Sequence, residues 1–123
     1  MIIIDYNDKR PIYEQVAERF QNLILSGVME SDEKLPSVRS LAIELSINPN
    51  TIQRAFAQLE RDGLIYSVKG VGNFVQVSES LKQKQKEKLM KEFEEHVNSC
   101  ISQGITKEEL LKGVEKAAGE VKA

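Results

Sequence analysis

Asn50, Thr51, Gln53 and Arg54 fall within one short stretch, just after an Asn-Pro pair. Asparagine and glutamine pair a donor with an acceptor in the geometry that adenine offers. Arginine matches the two acceptors of guanine, and also phosphate. If these residues occupy the first turn of a helix, its N–H groups and positive dipole end add a preference for anions. Further along, KGVGN (69–73) brings Lys69 to a glycine-rich turn, where Gly70 and Gly72 permit a tight reversal and a close backbone approach. Each polar residue taken singly is an ordinary solvated position. Together they describe a surface that reads nucleic acid.

The elements that must position these groups are legible around them. RPIYEQVAERFQNLILSG (10–27) reads as a first helix, with Pro11 in its first turn, Gly27 past its end, and Ile12, Val16, Phe20, Leu23 and Ile24 on one stripe. MIIIDY before it is a short strand or a frayed start, and VMESDEKLP (28–36) is a polar connection. A short second helix follows, capped by Ser37, with Val38, Leu41, Ala42 and Leu45 facing inward. Asn48 before Pro49 is an N-cap with proline at the first helical position. The third helix then runs to about Asp62 and buries Ile52, Ala55, Phe56 and Leu59; Gly63 ends it. LIYSV and NFVQV are β-like runs joined by the glycine turn, hence a hairpin. Three helices and a hairpin in this order make a winged helix-turn-helix. The very short joint between the second and third helices forces a steep crossing, so the first turn of the third helix projects.

Composition narrows the function. The chain has 123 residues, enough for one compact domain or a small domain with an appendage. The net charge is −2; residues 1–77 carry 8 Lys/Arg against 10 Asp/Glu, and residues 78–123 carry 9 of each. Bulk charge therefore attracts no polyanion, and binding must come from local placement. The lone Cys100 excludes an internal disulfide and fits a reducing compartment. MIIID lacks the basic flank and apolar core of a signal peptide, and no apolar run is long enough to span a bilayer, so the expected location is cytoplasmic, with no membrane partner. One histidine, one cysteine and no phosphate-binding loop leave no catalytic constellation, so no enzyme and no cofactor is expected.

The motifs LPSVRSLA (35–42), NPNTIQRAF (48–56), LERDGLI (59–65) and KGVGNFV (69–75), with PIYEQV (11–16) and LILSG (23–27), resemble the DNA-binding domain of GntR-type bacterial transcription regulators. The resemblance covers residues 9–77. The NPNT run and the small tail look most like the short YtrA-like subfamily. The resemblance implies that Arg39 contacts DNA from the second helix, and that Ser37 meets phosphate. It places Asn48, Asn50, Thr51, Gln53 and Arg54 on the recognition helix, and Lys69 and Gly70 on a wing reaching toward the minor groove. Three positions depart from the family pattern: Ser31-Asp32 replaces a common Pro-Gly pair, Lys69 an arginine, and Asn73 a threonine. Aspartate tolerates left-handed backbone, so the turn at residue 32 is expected to persist. Lysine lacks arginine's planar fork, which weakens the expectation for the minor groove.

After residue 77 the chain reads as two helices. The first begins with lysines at 82, 84, 86, 88 and 91, a solvated face, and becomes amphipathic through Leu89, Phe93, Val97, Cys100 and Ile101. Gly104 stops it. Thr106 with Glu109 is a capping box opening a last helix with Leu110, Leu111, Val114 and Ala117. Two such helices cannot bury both apolar faces alone, so Leu89, Phe93, Val97, Leu110, Leu111 and Val114 are expected to pair with a second copy. His96 and Cys100 share a face, but two ligands make a poor metal site, and no metal is expected.

The expected fold is thus mostly α with a small β-hairpin: a winged helix-turn-helix domain (1–77) plus a C-terminal two-helix dimerisation tail (78–123). The expected function is a homodimeric regulator, a repressor, on a palindromic double-stranded operator. The resemblance implies an operator beginning with GT and ending with AC, and control of transporter genes. An unidentified small-molecule effector would sit between tail and DNA-binding domain. The competing reading is a winged helix used for protein–protein interaction, which the acidic balance suits.

Overall fold

The computed structural model describes residues 2–121, which form two units, one ending at Lys82 and the other starting at Gln83. The first unit contains α1 (Ile12–Leu25), α2 (Val38–Leu45), α3 (Pro49–Arg61) and the strands β1 (Ile65–Val68) and β2 (Gly72–Val75). The second contains most of α4 (Glu79–Ser102) and all of α5 (Lys107–Val121). The fold is mostly helical with one hairpin, as the sequence indicates.

The core forms where the apolar stripes of α1 and α3 meet. Val16, Phe20 and Ile24 of α1 and Ile52, Ala55, Phe56 and Leu59 of α3 are buried. Phe20 and Phe56 meet edge to face, with centroids 5.6 Å apart, the arrangement that the ring quadrupoles favour. Leu41 and Ala42 of α2, Ile65 of β1 and Val75 of β2 close the core. Leu81, in the first turns of α4, also packs against it.

Residues 28–36 do more than connect. Asp32 N–H donates to Val75 O, Val75 N–H to Glu33 O, and Leu35 N–H to Asn73 O, at 2.7–2.9 Å. The segment thus lines the outer edge of β2, bridging Lys34 to Phe74, and buries Leu35. Asp32 has the left-handed conformation (φ 70°) expected of it, and its carboxylate accepts from the Tyr66 hydroxyl at 2.8 Å. That bond keeps the Tyr66 proton on and raises its pKa.

The N-terminal segment forms no strand. It is tied down by Gln15, a fully buried polar side chain whose Oε1 accepts from Asp5 N–H at 2.9 Å and whose Nε2 donates to Asp5 O at 3.0 Å. This pair of hydrogen bonds anchors a segment whose Ile2 is buried in the core. Beside it, Arg10 donates to both Asp8 and Glu18 and holds both carboxyls below their ordinary pKa. Gln15→Ala leaves the Asp5 backbone pair unsatisfied, and is expected to cost about 1–3 kcal/mol. A urea melt would show this as a lower midpoint at unchanged slope; an unshifted midpoint would mean the tether contributes nothing.

In the second unit, α4 has no buried residue. Leu89, Phe93, Ile101, Leu111 and Val114 are exposed, while Val97 and Leu110 are half-buried. Thr106 and Glu109 form the expected reciprocal cap of α5 through side chain and backbone. No described helix is long and apolar enough to cross a membrane.

Candidate nucleic-acid interface

The joint between α2 and α3 is made by Ser46 in left-handed geometry (φ 55°), with Ile47 N–H turned back to Ala42 O at 2.9 Å. The Asn48 side chain then caps α3, its Oδ1 accepting from Asn50 N–H at 2.8 Å. With Ile52, Ala55, Phe56 and Leu59 against the core, the helical period turns Asn50, Gln53 and Arg54 outward, and all three are exposed. Thr51 is half-buried rather than exposed as the sequence suggests, because it sits at the flank of the buried stripe.

The free backbone donors at the starts of α2 and α3 differ. At the start of α3 the backbone donors are spent: Pro49 has none, Asn50 N–H goes to the cap, and Thr51 N–H goes to Asn48 O. What that helix end has left to offer an anion is its dipole and the Asn48 side-chain amide, not bare N–H groups. At the start of α2, Ser37 Oγ accepts from Ser40 N–H at 3.0 Å, whereas Val38 and Arg39 N–H have no acceptor among the described residues. The unpaired amides therefore belong to α2, whose Arg39 is exposed. Ser37 already donates its proton to Ser40 Oγ at 2.9 Å, so meeting a phosphate requires it to rotate.

The wing is a tight ladder. Tyr66 lies opposite Phe74, with rings stacked at 5.5 Å, and Ser67 lies opposite Asn73. Ser67 Oγ donates to Asn73 Oδ1 at 2.7 Å, which gives the unusual Asn73 a structural role. Lys69, Gly70 and Val71 form the exposed tip, with Gly70 at φ 77°. Gly72 (φ 147°) has a backbone that side chains rarely adopt, and the flexible Lys34 chain runs alongside, its Cε 2.9 Å from where a Cβ would stand. Lys34 therefore crosses the base of the wing and brings a cation that the sequence reading, treating 28–36 as a connection, did not count. The ion pairs among the described residues involve only Arg10 and Arg19 as cations. Arg39, Arg54, Lys69 and Lys34 thus form no ion pair among the described residues. Arg61 donates to Gln58 at 2.8 Å.

A projecting, capped helix with a polar outer side, a flanking helix with free amides and a cation-bearing hairpin define a winged-helix DNA-binding protein. The chain belongs to the gntR family of bacterial regulatory proteins, which it matches over residues 12–75, and within that family to the YtrA-like subfamily. It is 36% identical to the HTH-type transcriptional repressor YtrA of Bacillus subtilis (strain 168), over 99% of this chain and 95% of that protein. A GntR family transcriptional regulator from Listeria monocytogenes superposes with a TM-score of 0.75 at 35% identity, covering 90% of this chain and 98% of that one. The DNA-binding domain of AraR in complex with operator ORE1 superposes with a TM-score of 0.53 at 32% identity, covering 61% of this chain and 92% of that one. The protein is accordingly a DNA-binding transcription regulator, not an enzyme.

The cap can be separated from the contact. Asn48→Ala should lose about 1 kcal/mol of stability with the cap. Asn48→Asp keeps the cap, and its charge suits a helix N-terminus, but it sets a carboxylate toward phosphate. Its thermal midpoint should match or exceed wild type while DNA affinity falls about tenfold or more. Wild-type affinity in Asn48→Asp would remove Asn48 from the interface.

Proposed function

We propose that the protein is a cytoplasmic repressor that binds a palindromic operator as a homodimer and acts by covering a promoter. The observation that carries this reading is the outer side of α3, where Asn50 and Gln53 stand exposed, together with Arg39 on α2 and Lys69 on the wing, both exposed and without an ion pair among the described residues. Asn50 and Gln53 would read base edges in the major groove. Arg39, Ser37 and the free amides of α2 would hold the strand backbone. Asn48, Thr51 and Arg54 would flank the reading residues, and Lys69 and Gly70 would carry the wing toward the minor groove. The relative YtrA is named a repressor, and AraR is seen with its operator; both support the assignment by kinship.

Dimerisation is assigned to the second unit. Leu89, Phe93, Leu111 and Val114 are exposed, with Val97 and Leu110 half-buried beside them. A second copy offers the same faces, and twofold pairing buries both at once. The two recognition helices would then meet half-sites about 34 Å apart, one turn of duplex. An effector that alters this spacing would release the operator. Control of transporter genes, and an operator running from GT to AC, complete the proposal.

Selection from a pool of random duplexes, followed by anisotropy titration of the recovered duplex at two salt concentrations, tests the reading. An inverted repeat bound with a steep salt dependence is expected. Arg39→Ala and Gln53→Ala should each weaken specific binding by about 10- to 100-fold while leaving the fold intact. Recovery of no consensus, or full affinity in both variants, would favour a protein-binding role instead. A chain ending after Lys82, which keeps Leu81 on the core, should be folded and monomeric and should bind the operator weakly. A stable dimer of that fragment would move the interface out of the tail.

A further inference from the structure

Arg54 lies on the face of Tyr13. Its guanidinium carbon is 4.0 Å from the ring centroid, within the range of a cation–π contact. Tyr13 belongs to the first turn of α1, and Arg54 to the second turn of α3, so the contact bridges the two helices that build the core. Tyr13 is half-buried and packs against the core, which fixes the ring; Arg54 is exposed and forms no ion pair among the described residues. An arginine free to search would extend outward from α3 alongside Asn50. This one is drawn sideways onto Tyr13 of α1, while Gln53 lies about 100° away around the helix. The planar, weakly hydrated guanidinium can rest on an aromatic face and still offer its N–H edge to an anion.

The geometry points to a division of labour, resting on the DNA-binding reading above: Tyr13 is a positioning residue that holds Arg54 off the base edges and presents it as a clamp for a backbone phosphate beside α1. Asn50 and Gln53 are then left to read sequence. A phosphate clamp contributes equally to every sequence and to the salt dependence, whereas a base reader does neither.

The test is a double-mutant cycle on the full chain, with the duplex recovered by selection and a set of single-base variants of it. Arg54→Ala should weaken all duplexes by a similar factor, and reduce the salt slope by about 0.9 per protomer. Arg54→Lys should keep the slope. Tyr13→Leu, which retains an apolar body against the core, should weaken binding by about 2- to 5-fold, the strength of an exposed cation–π contact, and should have no further effect in the Arg54→Ala background. Tyr13→Phe should match wild type, since the ring and not the hydroxyl is used. Thermal midpoints separate a folding defect from lost binding, and the Arg54 variants, on an exposed side chain, remain informative in either case. Additive losses from Tyr13→Leu and Arg54→Ala, or a change of preference at one base pair in Arg54→Ala, would overturn the inference. Wild-type protein that selects no duplex would instead overturn the DNA-binding reading itself.

Discussion

Everything in the DNA-binding unit depends on one side of α3 being kept dry. Ile52, Ala55, Phe56 and Leu59 are each buried, and Phe56 is held edge-on by Phe20 of α1. A helix locked along one side has no rotational freedom left, so the identity of its outward residues is settled by period alone. The steep joint at Ser46 and the Asn48 cap then fix where that side begins. Specific recognition needs this rigidity, because a reading side chain placed loosely loses its discrimination between base edges.

The functional groups fall into layers according to how much they are already bonded. Asn50 and Gln53 keep their side chains free, as residues that must match a partner's pattern do. Ser37 and Asn48 are partly spent on capping helices, so structure and contact are coupled there. Arg54 is held by stacking rather than by a carboxylate, which leaves its charge unneutralised. In an acidic chain, an unpaired surface cation of this kind is what local placement of charge requires. The acidic groups that do form ion pairs lie in the Asp8–Arg10–Glu18 group, which ties α1 to the segment before it.

Much of this was legible in the sequence, because caps and periodic stripes are local. Ser37, Asn48 and the Thr106–Glu109 box all cap as their residue types indicate, and the stripes of α1 and α3 are buried as spaced. What escaped reading was non-local. The pairing of residues 32–35 with β2 leaves no alternation to detect, since the segment is short and polar. Gln15 bonds to the backbone of Asp5, and a backbone partner has no side-chain signature. Tyr13 and Arg54 are brought together only by packing α1 on α3. The spent amides of α3 follow from the proline and the cap, and could have been foreseen by counting donors.

The wing is constrained unevenly. Its base is constrained, since Gly72 sits at φ 147°, which side chains rarely adopt, and Ser67 with Asn73 fastens the ladder beside it. Its tip at Lys69, Gly70 and Val71 is exposed and touches none of this. Substitutions at Lys69 and Val71 therefore disturb no packing, whereas Gly70, at φ 77°, is held to glycine by its backbone. On the proposed reading, the charge that the wing offers to DNA can thus change at two positions while the turn that presents it stays the same.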